Sequence, residues 1–321
     1  MAVFTLPPVF FEFFLKGATV LKHSKKMIIG FLGPAVLMFC VVFLYPILRT
    51  ILMSFFKIEG VTDSMDLWSF VGIDNYGKLL GTSLFRTSMY NLFRIWLFGG
   101  LIVMSLALLF AVILTSGIRF KKFFRAVIYL PNVVSAVALA TMWLQFVFQN
   151  QFGLLKTVFT KLHLTKLASI PWLDADHKFW ALLIAYCFGM VGYHMLIFLS
   201  GIERISPELY EAATIDGATK PKQFRYITWP LLRGVIKTNI TMWSVTCSAF
   251  FVWSQLFSSV TADTQTITPM VYMYAQVFGA GNAVTERNAG LGAAVGVVLS
   301  LCVVLIFTIC DKLIKDDDLE F

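Results

Sequence analysis

Residues 210–232, YEAATIDGATKPKQFRYITWPLL, decide how this chain is read. They form a polar island with strong helix signals, set among apolar runs of membrane length. Just upstream, Ser206 is a good N-cap, Pro207 suits the first helical position, and Glu208 and Glu211 place negative charge near the positive end of a helix. A short helix is predicted to start there. Gly217 is a natural stop, Pro221 permits a second start after Thr219 or Lys220, and Pro230 opposes continuation of that second helix into the next segment. The expectation is two short helices joined by a turn and offering a docking surface; an ordinary amphipathic surface helix is the plainer reading.

The surroundings of this island are those of a polytopic membrane protein. Of 321 residues, 58% are hydrophobic and 14% charged, with a mean hydropathy of +0.79, more apolar surface than a water-soluble domain can bury. A hydrocarbon layer of about 30 Å takes about 20 helical residues. Apolar segments of that length lie near 28–56, 87–115, 125–148, 179–201, 235–257 and 289–311. The fold class expected is therefore an all-α membrane protein of about six spans, with the 203–232 loop between the fourth and fifth. Residues 28–315 form the transmembrane domain, residues 1–27 a segment with an interfacial helix over 4–21, and residues 316–321 an acidic tail. No removable signal peptide is read at the start, which lacks a basic n-region.

Charge sets the orientation. Sixteen Lys and Arg fall in one alternating set of connections, among them Lys25, Lys121, Arg204 and Lys312, against eight in the other. By the positive-inside rule both termini and the 203–232 loop are cytoplasmic. The formal charge of +8 is explained by these short basic clusters, and no nucleic-acid partner is implied. Cys40, Cys187, Cys247, Cys302 and Cys310 lie in or beside apolar runs without metal-like spacing and read as small buried hydrophobes; His194 has no second ligand at a suitable spacing, and no metal is expected. No phosphate-binding Gly-rich loop ending in Lys-Ser or Lys-Thr is present, so the chain is expected to bind no ATP itself. No nucleophile–base pair or carboxylate cluster supports a catalytic reading.

Glu211-Ala212-Ala213, then Gly217, Ile227 and Pro230, resemble the EAA signature loop of permease subunits of binding-protein-dependent ABC importers. Trp229 departs from the Leu usual in that family but remains bulky and apolar. Leu44-Tyr45-Pro46, residues 70–76 (FVGIDNY), Phe124-Arg125, Leu130-Pro131 and Gly153-Leu154 follow in the order of the sugar-type branch, the class of maltose and glycerol-phosphate importers. The resemblance implies the type I importer permease fold. It implies a second homologous permease as heterodimer partner, two ATPase subunits that carry ATP and Mg, an extracytoplasmic solute-binding protein, and a place in the bacterial inner membrane among its lipids. It further implies that the loop couples to the ATPase through Glu208, Tyr210, Glu211, Ala212, Ala213, Asp216, Gly217 and Pro230, with Gly217 making the sharp turn. The solute implied is a carbohydrate, an oligosaccharide first; a glycerol-phosphate-like or acidic sugar is the alternative. An ATP-independent secondary transporter would leave the loop unexplained. The 258–268 stretch, SSVTADTQTIT, departs from the Gly-Gly-Pro turn usual there and leaves the shape of that loop open.

A path for a polar solute needs polar groups recurring on one helix face. Thr241, Ser244, Ser248 and Gln255 do so in the fifth segment, although small polar residues equally allow close helix packing. Tyr186, Gly189 and Tyr193 share a face of the fourth, where a Tyr can offer a sugar both ring and hydroxyl. Asn132, Ser135, Trp143 and Gln145 do so more weakly in the third. Arg94 in the second is either a cation facing the path or an Arg that snorkels outward or bonds Asn91 and a carbonyl. Gly292 and Gly296 form a small-residue packing surface.

Overall fold

The computed structural model describes residues 25–258, 263–279 and 287–314. The interfacial helix expected over 4–21 and the acidic tail 316–321 lie outside the described residues. The chain divides into two units, Met1–Leu52 and Met53–Phe321. The described part of the first is α1, Ile29–Met53, which runs on one residue into the second unit and whose apolar side chains, Phe31, Leu37 and Phe43 among them, are exposed. A wide turn over Cys40–Leu44 precedes Pro46, whose missing N–H would otherwise leave a gap in the ladder.

The second unit begins with a two-residue hairpin, Phe56 opposite Phe70, and the short helix α2, Asp74–Gly81. It continues through α3 (Ser83–Thr115), α4 (Lys121–Val133), α5 (Ala136–Val147), α6 (Lys178–Ile202), α7 (Pro207–Ile215), α8 (Arg233–Ser248), α9 (Val252–Phe257), α10 (Pro269–Phe278) and α11 (Ala289–Leu313). Most of the apolar window of α6 is buried, far more than that of α3 or α11, and α3, α4 and α8 pack around it. Its small residues permit this. At Gly192 a Cβ would stand 2.4 Å from the Ile128 carbonyl oxygen and 2.7 Å from Tyr129 Cα, so α4 crosses α6 backbone against backbone. Gly292 plays a similar part between α11 and α10, where a Cβ would meet Val277 at 2.5 Å.

Among the described residues four helices, α1, α3, α6 and α11, are long and apolar enough to cross a membrane, and a fifth span results if α4 and α5, bent by 97°, count as one. The bend falls at Val134 and Ser135, after Pro131 has removed a helix donor. The continuous helix expected over 235–257 is corrected: α8 ends at Ser248 and α9 begins at Val252. The reason lies in the 263–268 loop. The Thr268 hydroxyl donates to the Phe250 carbonyl, and the Ser254 hydroxyl donates to the Thr266 carbonyl at 2.6 Å, so side chains and loop backbone take over from helix bonding where the ladder is broken. The Asn91 amide donates to the carbonyls of Thr264 and Ile267 at 2.9 and 3.0 Å.

Asp263 completes this arrangement. One carboxylate oxygen accepts the Gln265 N–H at 3.0 Å, and the other lies 2.8 Å from the Lys178 ammonium at the start of α6. Both side chains are more than nine-tenths buried. The shape of the loop left open by its sequence is thus a turn over 263–266, locked to α3, α6 and α9; residues 259–262 lie outside the described residues.

Two outcomes are expected. Gly192→Leu forces α4 and α6 apart and costs about 1–3 kcal/mol, the usual overpacking penalty; a thermal midpoint in detergent equal to the parent's would refute the close crossing. Asp263→Ala removes the buried carboxylate beside the Lys178 ammonium and costs about 3–5 kcal/mol, whereas the double change Lys178→Met, Asp263→Leu recovers most of that loss. Equal midpoints for the single and double variants would show that the pair is not what holds the loop.

Candidate functional site

The helix predicted from Ser206 is α7. The Ser206 hydroxyl oxygen accepts the Glu208 N–H at 3.3 Å, and Pro207 occupies the first turn. The stop at Gly217 has defined geometry: Gly217 has φ 77°, its N–H reaches the Thr214 carbonyl at 3.0 Å, and the Ala218 N–H reaches the Ala213 carbonyl at 2.8 Å. This paired reversal satisfies the last carbonyls and needs a left-handed residue at position 217.

The second helical segment starts at Lys220, as expected, but Pro230 does not end it. Helix runs from Lys220 to Leu231 through a wide turn over Phe224–Thr228 that absorbs the donor Pro230 lacks, and the break falls at Leu232, where α8 takes over. The two segments are clamped together. Gln223 Nε2 donates to the Thr214 hydroxyl at 2.8 Å and to the Tyr210 carbonyl at 3.3 Å, and the Tyr210 and Thr228 hydroxyls share a bond of 2.9 Å. Gln223 and Thr228 are buried. Sequence reading named Tyr210 but missed Thr214, Gln223 and Thr228, because nothing local marks which residues of one helix will meet those of another.

With Tyr210 half-buried and the exposed Thr214 tied through its hydroxyl to Gln223, Glu208, Glu211, Ala212 and Ile215, at helical spacings of three and four, form the outward stripe of α7. All four are exposed, Ile215 at 87%. An apolar side chain held that far into solvent was also missed by sequence reading. Ala213 is half-buried, and Asp216 and Gly217 are exposed at the turn. Where α6 meets the loop, Glu203 pairs with Lys121 of α4 at 2.8 Å, and Lys237 of α8 pairs with Asp311 of α11 at 3.1 Å. A cavity of about 500 Å³ lies behind α7, between the loop and the ends of α3 and α4.

The polar candidates along the bundle separate. Thr241, Ser244 and Ser248 do share a face of α8, while Gln255 belongs to α9 beyond the break and is exposed. Ser244 is buried and accepts the Trp96 indole N–H at 2.9 Å; the Trp243 indole in turn donates to the Trp96 carbonyl at 2.9 Å, so α3 and α8 are joined reciprocally at a wide turn over Ile95–Gly99. Thr241 and Ser248 donate to carbonyls of their own helix. Tyr186 is 2% exposed, its ring 4.6 Å from Phe250 and 5.7 Å from Trp253. Tyr193 is half-buried beside His194, whose Nδ1 lies 2.8 Å from the Asn239 carboxamide oxygen. Arg94 neither pairs with the Asn91 side chain nor stands bare: its guanidinium lies 3.6 Å from the centre of the Phe179 ring, with Tyr90 and Trp180 beyond.

Residues 103–316 match the family described as binding-protein-dependent transport system inner membrane component. The arabinooligosaccharides transport system permease protein AraP of Bacillus subtilis is 31% identical over 300 residues, 91% of this chain and 90% of that one. The diacetylchitobiose uptake system permease protein NgcF of Streptomyces coelicolor is 28% identical over 87% of this chain and 79% of its own length. A solved bacterial alginate ABC transporter, in complex with a pentasaccharide-bound periplasmic protein, contains a chain of the same fold, with a TM-score of 0.73 at 18% identity over 91% of this chain and 94% of that one. With most of its length matched by that family and nearly all of it by permeases, this multi-pass membrane chain belongs to the inner membrane components of binding-protein-dependent ABC transport systems.

Proposed function

We propose that the chain is one half of the pore of an ATP-driven carbohydrate importer, and that the outward stripe of α7 is where a separate ATPase subunit pulls on it. The observation that carries the reading is the construction of the 203–232 loop. Its helix is capped at both ends, clamped from behind by Gln223, and presents two carboxylates, a small Ala and a bare Ile to the outside. Such a face offers apolar anchoring at Ile215 and charge pairing at Glu208 and Glu211, the usual division of labour in an interface. Positive charge around the loop supports a cytoplasmic position, where ATP and Mg would be held by the partner.

The names of the relatives support an oligosaccharide as solute, since arabinooligosaccharides and diacetylchitobiose are what two of them carry. A binding protein outside would deliver it, and a second, homologous permease would complete the pore. ATP-driven closure would move the clamped loop as a rigid body and open the pore alternately to each side. Within this chain Arg94, held over the buried Phe179 ring with the exposed Tyr90 and Trp180 beside it, and the hydroxyl face of α8 remain the candidate contacts; Tyr186 would act as a strut beneath them.

The test is reconstitution of the whole complex with Ile215→Asp, Glu211→Arg and Gly217→Val variants. Each is expected to lower binding-protein-stimulated ATP hydrolysis and solute uptake together by about tenfold or more, the scale of losing 1.4 kcal/mol of interface energy. Gln223→Leu, which removes the clamp but leaves the stripe intact, is expected to uncouple the two, with hydrolysis kept and uptake lost. Full uptake in the Ile215→Asp and Glu211→Arg variants would reject the docking role and return the ATP-independent reading.

A further inference from the structure

Residues 119–125, RFKKFFR, hold four cations and three aromatic rings in seven positions, and no Asp or Glu occurs anywhere in residues 75–173. The stretch closes the turn after α3 and opens α4. Lys121 is paired with Glu203, whereas Arg119, Lys122 and Arg125 are exposed and make no ion pair among the described residues. The positive-inside rule accounts for the charges and requires nothing of the rings between them. Yet Phe120 and Phe123 are 67% and 64% exposed, Phe124 is exposed as well, and the Arg119 guanidinium lies 5.3 Å from the centre of the Phe120 ring.

The rest of α4 identifies what covers these rings. One of its faces packs on α6, with Ile128 and Tyr129 against Gly192. On the other, Phe123, Val127 and Leu130, four and three residues apart, form an exposed apolar stripe that runs down the helix into the basic cluster. A stripe of that kind on a membrane helix lies against acyl chains, and where it ends in Lys and Arg their stems stay on the apolar surface while their heads reach the headgroup layer. A protein partner would need an acidic surface and an apolar one at this point; an anionic bilayer offers both in the layer where the stripe ends. We infer that residues 119–125 form a binding site for an anionic phospholipid, with Arg119, Lys122 and Arg125 on its headgroup and Phe120, Phe123 and Phe124 on the upper part of its chains. The lipid pins the start of α4 at the bilayer surface, beside the Lys121–Glu203 pair that links α4 to the end of α6. The site depends neither on the docking role of α7 nor on which solute the pore carries.

Native mass spectrometry of the assembled complex, titrated separately with phosphatidylglycerol and with phosphatidylcholine of matched chains, tests it. In the parent complex phosphatidylglycerol is expected to bind saturably and about tenfold or more tighter than phosphatidylcholine. Replacing the three cations together, Arg119→Gln, Lys122→Gln and Arg125→Gln, should weaken that binding step about a hundredfold. The charge-keeping pair Arg119→Lys, Arg125→Lys should retain it. Phe120→Ser with Phe123→Ser leaves every orientation signal in place and should weaken binding about tenfold through lost apolar contact. Equal binding of the two lipids, or unchanged phosphatidylglycerol binding in both the triple Gln and the double Ser complexes, would overturn the proposal and leave the cations with orientation alone. Release of the ATPase subunits from the triple Gln complex with phosphatidylglycerol binding intact would overturn it in favour of a protein partner. Displacement of the bound lipid by inorganic phosphate would overturn the lipid assignment, since phosphate alone would then satisfy the site.

Discussion

Where no water reaches the backbone, every helix break must be repaired by another part of the protein, and that constraint organises this chain. The break between α8 and α9 exists because Thr268, Thr266 and the loop backbone offer bonds in exchange for the helix ladder. The loop, in turn, holds that position only because Asn91 and Lys178 bind its carbonyls and its carboxylate from two other helices. Remove one contributor and the others lose a buried hydrogen-bond or ion-pair partner, which makes the cluster cooperative: its parts are worth more together than singly. Two of the prolines are handled in the same way. Pro46 and Pro230 are accompanied by wide turns that spread the missing bond over an extra residue, so the helical path bends without ending.

Against these bent elements α6, like α11, is continuous. Its 25 residues span about 37 Å at the usual rise and carry an ion pair at each end, Lys178 with Asp263 and Glu203 with Lys121. The two pairs differ in kind. The first is buried and its partners cannot part without a large penalty, while the second is more than a third exposed and is worth little by itself. One end of α6 is therefore anchored and the other can yield. The loop that follows Glu203 has its own internal clamp through Gln223, so it can shift as a unit when the exposed pair opens, without unfolding α7.

What the residues disclosed in advance follows the range of the physics involved. Capping, proline and glycine act over a few residues, so Ser206, Pro207 and Gly217 located α7 and its reversal directly. Hydropathy located the long helices, but it averages over a window and is blind to a break three residues wide, so 249–251 passed as part of one span. The stripe of Thr241, Ser244 and Ser248 was legible from spacing, yet its extension to Gln255 failed for the same reason. Contacts between segments left no trace: the clamp of Tyr210, Thr214, Gln223 and Thr228 joins residues up to 18 apart, and Lys178 finds Asp263 across 85. Ile215 reads as one more apolar residue in a helix until the clamp shows which side of that helix is taken.

Arg94 shows how position along a helix changes the meaning of a charge. Counted from a span starting at 87, it would enter the apolar layer, where an insertion cost of about 2.5–3.5 kcal/mol would demand a functional reason. The helix instead starts at Ser83 and runs 33 residues, about 50 Å, well beyond the 30 Å of hydrocarbon. Phe179, the ring under the guanidinium, is the second residue of α6, so Arg94 stands level with the terminus of the central helix and not with its middle. There the aromatic rings of Tyr90 and Trp180 are partly exposed, as aromatic side chains at a membrane boundary tend to be, and the cation–π contacts replace part of the hydration the charge has lost. The cost of the cation is thereby reduced without a counter-ion among the described residues. A guanidinium held in this way keeps its N–H edges for hydrogen bonding while its face is occupied.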